Sequence, residues 1–440
     1  MHLVALNITD LFLGLWRGTV SGSKDGDRPW VVLQGDTWVA HGAEVGRAAC
    51  FLPGSFDRPP RNIAEKLNSG YKAKEFMTYF YGYGPALLRR HLPRLYLKNF
   101  AKFVSAGRTL GKHRILRTEL QHAEQLTREA ELKYEQLYYE RDPNRVHLVR
   151  PCIHSFGHGP SEVKKIGPLI GVTQYTMERT IGNLGQELRQ HSTPYANLSH
   201  RALLRCQLNS LGNLLPSLRL DDAALSLPKG AQDLGNDMVL LCPKDTTSHS
   251  TTNAEAIAFH FYLSDAGDQA LGPVSEFSIK VRRYARLRLA NGQVARSAWK
   301  ETLRPLGNSR ISRVVKVSIN GKMEIAEVRY YCRLPIDGMS FWTVALLSVF
   351  GPRDEDLYQD LYGTVWLAPY RGDESLRVVD VSQIHAVVAM VLDSDVVVDL
   401  TNAVEPHYQF GQNYFLVEKL ALEISHRAGT LDGIPEAEEE

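Results

Sequence analysis

The run 174–190, Gln-Tyr-Thr-Met-Glu-Arg-Thr-Ile-Gly-Asn-Leu-Gly-Gln-Glu-Leu-Arg-Gln, carries the arrangement best suited to chemistry in this sequence. Read as a helix, it sets Gln174, Glu178, Gly182, Gly185 and Arg189 on or near one stripe, so a carboxylate stands where two glycines remove side-chain bulk. A large ligand can approach such a face. Two glycines inside a helix cost roughly 1 kcal/mol each relative to alanine, which favours a packing or binding reason for them. Arg179, Arg189, Arg201 and Arg205 supply cations nearby, and phosphate contact is one use for them. A solvated surface helix whose glycines merely permit packing fits the same pattern.

Other residue groups offer less. His154 and His158 are spaced i and i+4, close after Cys152, as two ligands on one helix face would be, although Gly157 and Gly159 weaken a helix there. Packing or backbone hydrogen bonding is the alternative for them. Basic clusters at Arg89-Arg90-His91, Lys112-His113-Arg114, Lys164-Lys165 and Arg282-Arg283 could touch phosphates without reading bases, or be ordinary solvated faces. With 51 Lys and Arg against 49 Asp and Glu, any nucleic-acid surface must come from such clustering and not from bulk charge. The five cysteines are scattered, odd in number and form no Cys-x-x-Cys pair, which argues for reduced thiols in a cytosolic or nuclear setting, and no structural zinc site is visible.

These residues need elements to hold them. The apolar start, residues 1–16, carries Asp10 and no basic leader, and reads as a buried helix too short and interrupted to span a membrane. Residues 19–59, rich in Gly, Asp and Pro, read as a long connection with apolar islands at 30–33 and 50–52. Helical periodicity follows Pro59-Pro60, and an amphipathic helix is predicted over 115–139 with Leu116, Leu120, Ala123, Ala130, Tyr134 and Leu137 on its apolar face. From about residue 280 the period becomes alternating. Asn291-Gly292 and Asn320-Gly321 between strand-like runs are hairpin signals, and the later short strands are spaced as in a small antiparallel barrel. Tyr330, Tyr331, Trp342, Trp366 and Tyr370 form either an aromatic peptide-binding surface there or its core.

Several motifs also resemble a known family. Met1-His2, Leu52-Pro53-Gly54, Asn68-Ser69-Gly70-Tyr71-Lys72-Ala73, Arg150-Pro151-Cys152-Ile153-His154 and Met177-Glu178-Arg179-Thr180-Ile181-Gly182-Asn183-Leu184 are similar to blocks of CACTA (En/Spm) superfamily transposases, in particular the fungal Plavaka-like branch. Segments 284–299 and 370–390 resemble the C-terminal barrel region of those proteins. The resemblance implies a mixed α and β, multidomain chain: an N-terminally truncated RNase H-like (α/β) core with a mainly helical insertion, followed by a small antiparallel β-barrel domain. On this map residues 1–54 are a remnant of the core and a connecting loop, 55–146 the insertion, and 147–215 the helical part of the core carrying Glu178. Residues 216–279 are a linker or loose extension, 280–425 the barrel, and 426–440 an acidic tail.

Enzymes of that family hold two divalent ions about 3.5–4 Å apart with an Asp-Asp-Glu triad and displace at phosphorus. The resemblance makes Glu178 the third acid and a metal ligand, with Mg²⁺ or Mn²⁺ as cofactor. It makes His2 the end of an Asp-x-x-His block whose Asp would lie two residues before Met1, and Asp10, Asp25, Asp27 and Asp36 fall outside that block. Arg179, Arg189, Arg201, Arg205, Lys164 and Lys165 become the expected DNA contacts. The expectation is therefore a soluble, nuclear, transposase-derived chain that binds double-stranded DNA such as transposon ends. It lacks both Asp ligands, is inactive alone without an oligomeric or complementing chain, and has no membrane or small-molecule partner. The alternative is a non-enzymatic DNA-binding or protein-interaction module.

Overall fold

The apolar start of the chain forms the middle of a helical bundle. Helix Thr9–Arg17 buries Leu11, Phe12, Leu13, Leu15 and Trp16, apolar around most of its circumference, as a helix enclosed by others must be. Phe12 and Trp16 stack at 5.3 Å and meet Phe100 at 5.4 and 5.1 Å. The buried indole N–H of Trp16 donates to the Tyr138 hydroxyl at 3.1 Å, so enclosure leaves no orphan donor there. In this computed structural model the described residues are 2–20, 28–56, 58–67, 70–188, 192–215, 227–266, 272–303, 310–336, 341–393 and 408–420.

Around that helix pack Arg94–Leu110 and Arg117–Tyr134, the latter continued by a wider turn over Glu135–Tyr139. Ala123, Ala130, Tyr134 and Leu137 are buried as the amphipathic pattern requires, whereas Leu116 is exposed because it precedes the first helical turn. The segment expected to be a loose connection instead contains the helix Gly35–Arg47. Gly42 is a contact point: a Cβ there would come within 2.3 Å of Asn62 Oδ1 and 2.7 Å of the Ala64 nitrogen. Close approach of two backbones is written in glycines, which in sequence look like loop.

The second half is antiparallel sheet. A sheet of nine strands runs Gln232–Gly235, Met238–Lys244, Tyr284–Arg288, Lys322–Pro335, Val314–Ile319, Ile384–Val387, with Val294–Arg296, Phe341–Val349 and Leu376–Asp380 paired off that path. Asn320 and Gly321, at φ 50 and 74, make the two-residue turn between Val314–Ile319 and Lys322–Pro335, in register Ile319↔Lys322 to Val314↔Glu327. Gly292, at φ 81, closes the other hairpin, where Leu289 and Gln293 bracket the turn.

Among the described residues this sheet does not close into the expected barrel: its path ends at Gln232–Gly235 on one side and Ile384–Val387 on the other. The long strand Lys322–Pro335 pairs with Val314–Ile319 through Glu327 and, past a register shift between Val328 and Tyr330, with Tyr284 through Tyr331. A bulge of this kind lets one strand serve two neighbours on the same edge and splays the sheet.

Residues 216–279 also differ from the linker expectation. Met238, Val239 and Leu240 are buried in the sheet, and helix Asn253–Asp265 begins with a Thr252/Glu255 capping box and buries Ala256, Ala258, Phe259 and Leu263. Gly235 is part of a tight turn with Asn236 and Asp237, all three at positive φ. Residues 216–226, 267–271 and the acidic tail lie outside the described residues.

A three-stranded sheet, Leu367–Pro369, Asn413–Val417 and Ala389–Leu392, separates helices from the main sheet. Strand alternation divides it between two cores: Leu367, Ala389, Val391, Phe415 and Val417 join the helical core, while Ala368, Met390, Tyr414 and Leu416 face a second cluster with Phe350 and Tyr408. Val417 lies so close to Gly82 that a Cβ there would meet it at 2.7 Å. Arg89 and Arg90 add ion pairs to Asp393 across the same boundary. The helical and sheet regions thus share a continuous apolar seam.

Candidate functional site

Glu178 lies on helix Tyr175–Glu187, which is followed by helix Pro194–Leu214 with Pro194 in its first turn. Glu178 is exposed, and side chains added at Gly182 and Gly185 would meet nothing within 4 Å. The stripe read from sequence is therefore an open face. Neither helix buries a described residue: Met177, Ile181, Leu203, Leu208, Leu211 and Leu214 remain between 43% and 77% exposed. This pair differs from every other long helix of the fold in that respect.

Helical geometry decides how the cations relate to Glu178. Arg205 pairs with Glu187, nine residues beyond Glu178, and nine steps of roughly 100° bring Glu187 to about the opposite side of the helix. The second helix consequently packs on the side away from Glu178. Arg201, one turn before Arg205, shares its stripe and is half-buried. Arg205 therefore meets the side of the first helix opposite the carboxylate, although it is close to it in sequence.

Lys164 pairs with Glu124 at 2.7 Å and Lys165 with Glu162 at 2.8 Å, both on the surface. Such exposed pairs are worth about 0–1 kcal/mol, so phosphate can compete for these lysines. Arg179 belongs to the Glu178 helix and His2 opens the first helical segment, His2–Ile8; Arg189 lies outside the described residues.

Glu178 belongs to no converging ligand group among the described residues. Among the described residues the one group of three or more His, Cys, Asp or Glu side chains with converging ligand atoms is His41, Glu44 and His91, and Glu178 is not in it. A single carboxylate cannot hold two Mg²⁺ or Mn²⁺ ions. His154 and His158 do meet, Nε2 to Nε2 at 3.1 Å, with His154 Nδ1 3.1 Å from Glu131 Oε1 on the surface. The first helix runs through Gly157 and the break falls at His158, without separating the rings.

Two buried polar groupings were not read from sequence. Arg313, fully enclosed, donates through Nε to Glu327 at 2.6 Å and through Nη1 to Glu301 at 3.2 Å, while the Tyr370 hydroxyl donates to Glu327. Burial works to raise the Glu327 carboxyl, yet Arg313 beside it carries it below the usual range; Glu301, where burial outweighs Arg313, moves up. Tyr330, Tyr331 and Tyr370 are buried in this region, so three of the five aromatics considered there are core.

The second grouping is the His41, Glu44 and His91 set. His41 is fully buried and its ring is held neutral, its pKa pushed down to about 3 by burial and then by His91. Its Nε2 lies 2.8 Å from the Tyr79 hydroxyl, whereas its Nδ1 has no hydrogen-bond partner. The readable signal was His41-x-x-Glu44, one helical turn apart, but only if 35–47 had been recognised as helix. No protein-family model, curated protein or solved structure matches the chain.

Proposed function

We propose that the chain is a transposase-derived polypeptide that engages DNA through the helical pair Tyr175–Glu187 and Pro194–Leu214, with Glu178 as one carboxylate of an Asp-Asp-Glu site of RNase H-like type. The observation that carries this reading is the exposed Glu178 with open space over Gly182 and Gly185, on a helix whose sequence resembles the final catalytic block of CACTA transposases. A duplex could lie against that face without displacing a side chain. Lys164 and Lys165, held only by surface pairs, would take up phosphates at its approach.

Because Glu178 joins no converging group of three or more ligand side chains among the described residues, the chain by itself favours binding over cutting. That observation supports the second reading, a DNA-binding module without its own nuclease activity. Duplex binding measured against salt, together with supercoiled-plasmid nicking in Mg²⁺ or Mn²⁺, tests both. The expected result is salt-sensitive binding without nicking, with Lys164→Ala and Lys165→Ala each lowering the salt slope by about one. Nicking abolished by Glu178→Gln would establish a complete catalytic set and reject the binding-only reading; absence of binding even at low salt would reject DNA engagement.

A further inference from the structure

A buried imidazole nitrogen with no partner needs a reason. Leaving a polar atom enclosed and unsatisfied costs about 1–3 kcal/mol, and His41 Nδ1 is such an atom in a side chain with no solvent exposure. The helix Gly35–Arg47 sets Glu44 one turn beyond His41, and His91, directly after the turn Leu88–Arg90, brings its ring to 5.6 Å from that of His41 at 88°. One ligand atom from each of the three residues lies within 4.8 Å of the others. We propose that His41, Glu44 and His91 bind a divalent transition-metal ion, zinc by donor preference, which ties helix Gly35–Arg47 to the end of the Leu88–Arg90 turn.

The donor set is two imidazoles and one carboxylate, a combination that suits zinc, with a water completing four-coordination. Coordination through Nδ1 fixes the His41 tautomer: Nε2 carries the proton and donates to Tyr79 Oη, 2.8 Å away, the outer contact that a metal-bound histidine ordinarily has. Glu44 has its own outer contact, since Arg90 donates to Oε1 at 2.6 Å and shares its charge with Asp393. The ion is distinct from those of a two-metal nuclease, which call for carboxylate oxygens.

The full chain, stripped with a chelator and titrated with Zn²⁺ and with Co²⁺, tests this. One equivalent is expected to bind, with Co²⁺ ligand-field bands lacking a thiolate band, and the thermal midpoint is expected to rise with Zn²⁺. His91→Ala and Glu44→Gln should each weaken binding by on the order of a hundredfold and abolish the thermal rise, and Tyr79→Phe by roughly tenfold. The exposed His154/His158 pair is the competing site, so the double variant His154→Ala/His158→Ala should bind as the wild type does. Failure of the wild type to bind either ion overturns the proposal. So does binding unchanged in His91→Ala and Glu44→Gln, or binding lost in the His154/His158 variant. If the buried-site variants do not fold, X-ray absorption of the Zn²⁺-loaded His154→Ala/His158→Ala protein decides: two imidazoles with oxygen donors support the site, and sulfur or fewer than two imidazoles excludes it.

Discussion

The buried cluster around Arg313 and the helical pair Tyr175–Glu187 and Pro194–Leu214 obey opposite rules. In the first, a guanidinium with no exposure is matched by Glu301 and Glu327, and each polar group answers another within the fold. In the second, apolar side chains such as Met177, Ile181 and Leu214 face outward and a carboxylate stands over two glycines with nothing above them. Packing explains the residues of the first region. It does not explain those of the second, and residues unexplained by packing are where a ligand's requirements are expected to show.

The largest effect should come from breaking the buried cluster. Arg313→Ala strands two enclosed carboxylates and is expected to cost about 3–5 kcal/mol in urea unfolding. A loss below about 1 kcal/mol would mean that the two carboxylates are protonated or hydrated in the folded chain. The glycines sharpen the comparison at the next level. Gly42→Ala forces a Cβ onto Asn62 and the Ala64 backbone and should destabilise by about 1–3 kcal/mol. Gly182→Ala meets nothing and should stabilise its helix by up to about 1 kcal/mol, visible as slowed amide exchange. Equal effects at both positions would erase the distinction between a packing glycine and an open one.

Acid should act on the first region through its buried carboxylates. Glu327, depressed in the folded state, contributes stability that is present above its unfolded value of 4.5 and lost as pH falls below it. Glu301 is shifted upward and opposes this: its contribution grows as pH falls through its raised folded value towards 4.5. Glu327→Gln should therefore flatten the acid side of the stability curve below pH 4.5.

The smallest effect concerns local opening. Amides of Pro194–Leu214 are expected to exchange faster than those of Thr9–Arg17, because none of its described side chains is buried while Phe12 and Trp16 are enclosed.

Sequence disclosed the elements whose signals are local. The Asn320-Gly321 turn, the amphipathic face of Ala123, Ala130 and Tyr134, and the apolar helix around Phe12 each announce themselves within a few residues. What stayed hidden depends on partners far along the chain. Gly42 reads as loop until Asn62 and Ala64 are known to lie against it, and Met238 to Leu240 read as a short apolar run until the sheet that receives them is in place. Spacing sets Glu178, Gly182 and Gly185 on one helix face, whereas Arg205, close by in sequence, pairs with Glu187 on the opposite side. His41 and His91 are fifty positions apart in sequence, and nothing short of the fold brings them together.

The central claim is that the open Glu178 face receives DNA. Fluorescence anisotropy of a labelled duplex with the full chain and with Gly182→Leu/Gly185→Leu tests it most directly, alongside urea unfolding of both proteins. Because a Cβ at either position meets nothing within 4 Å, the unfolding midpoint should not fall, while affinity for the duplex should drop by on the order of tenfold or more as the face is filled. Unchanged DNA affinity in a stably folded variant would contradict the account.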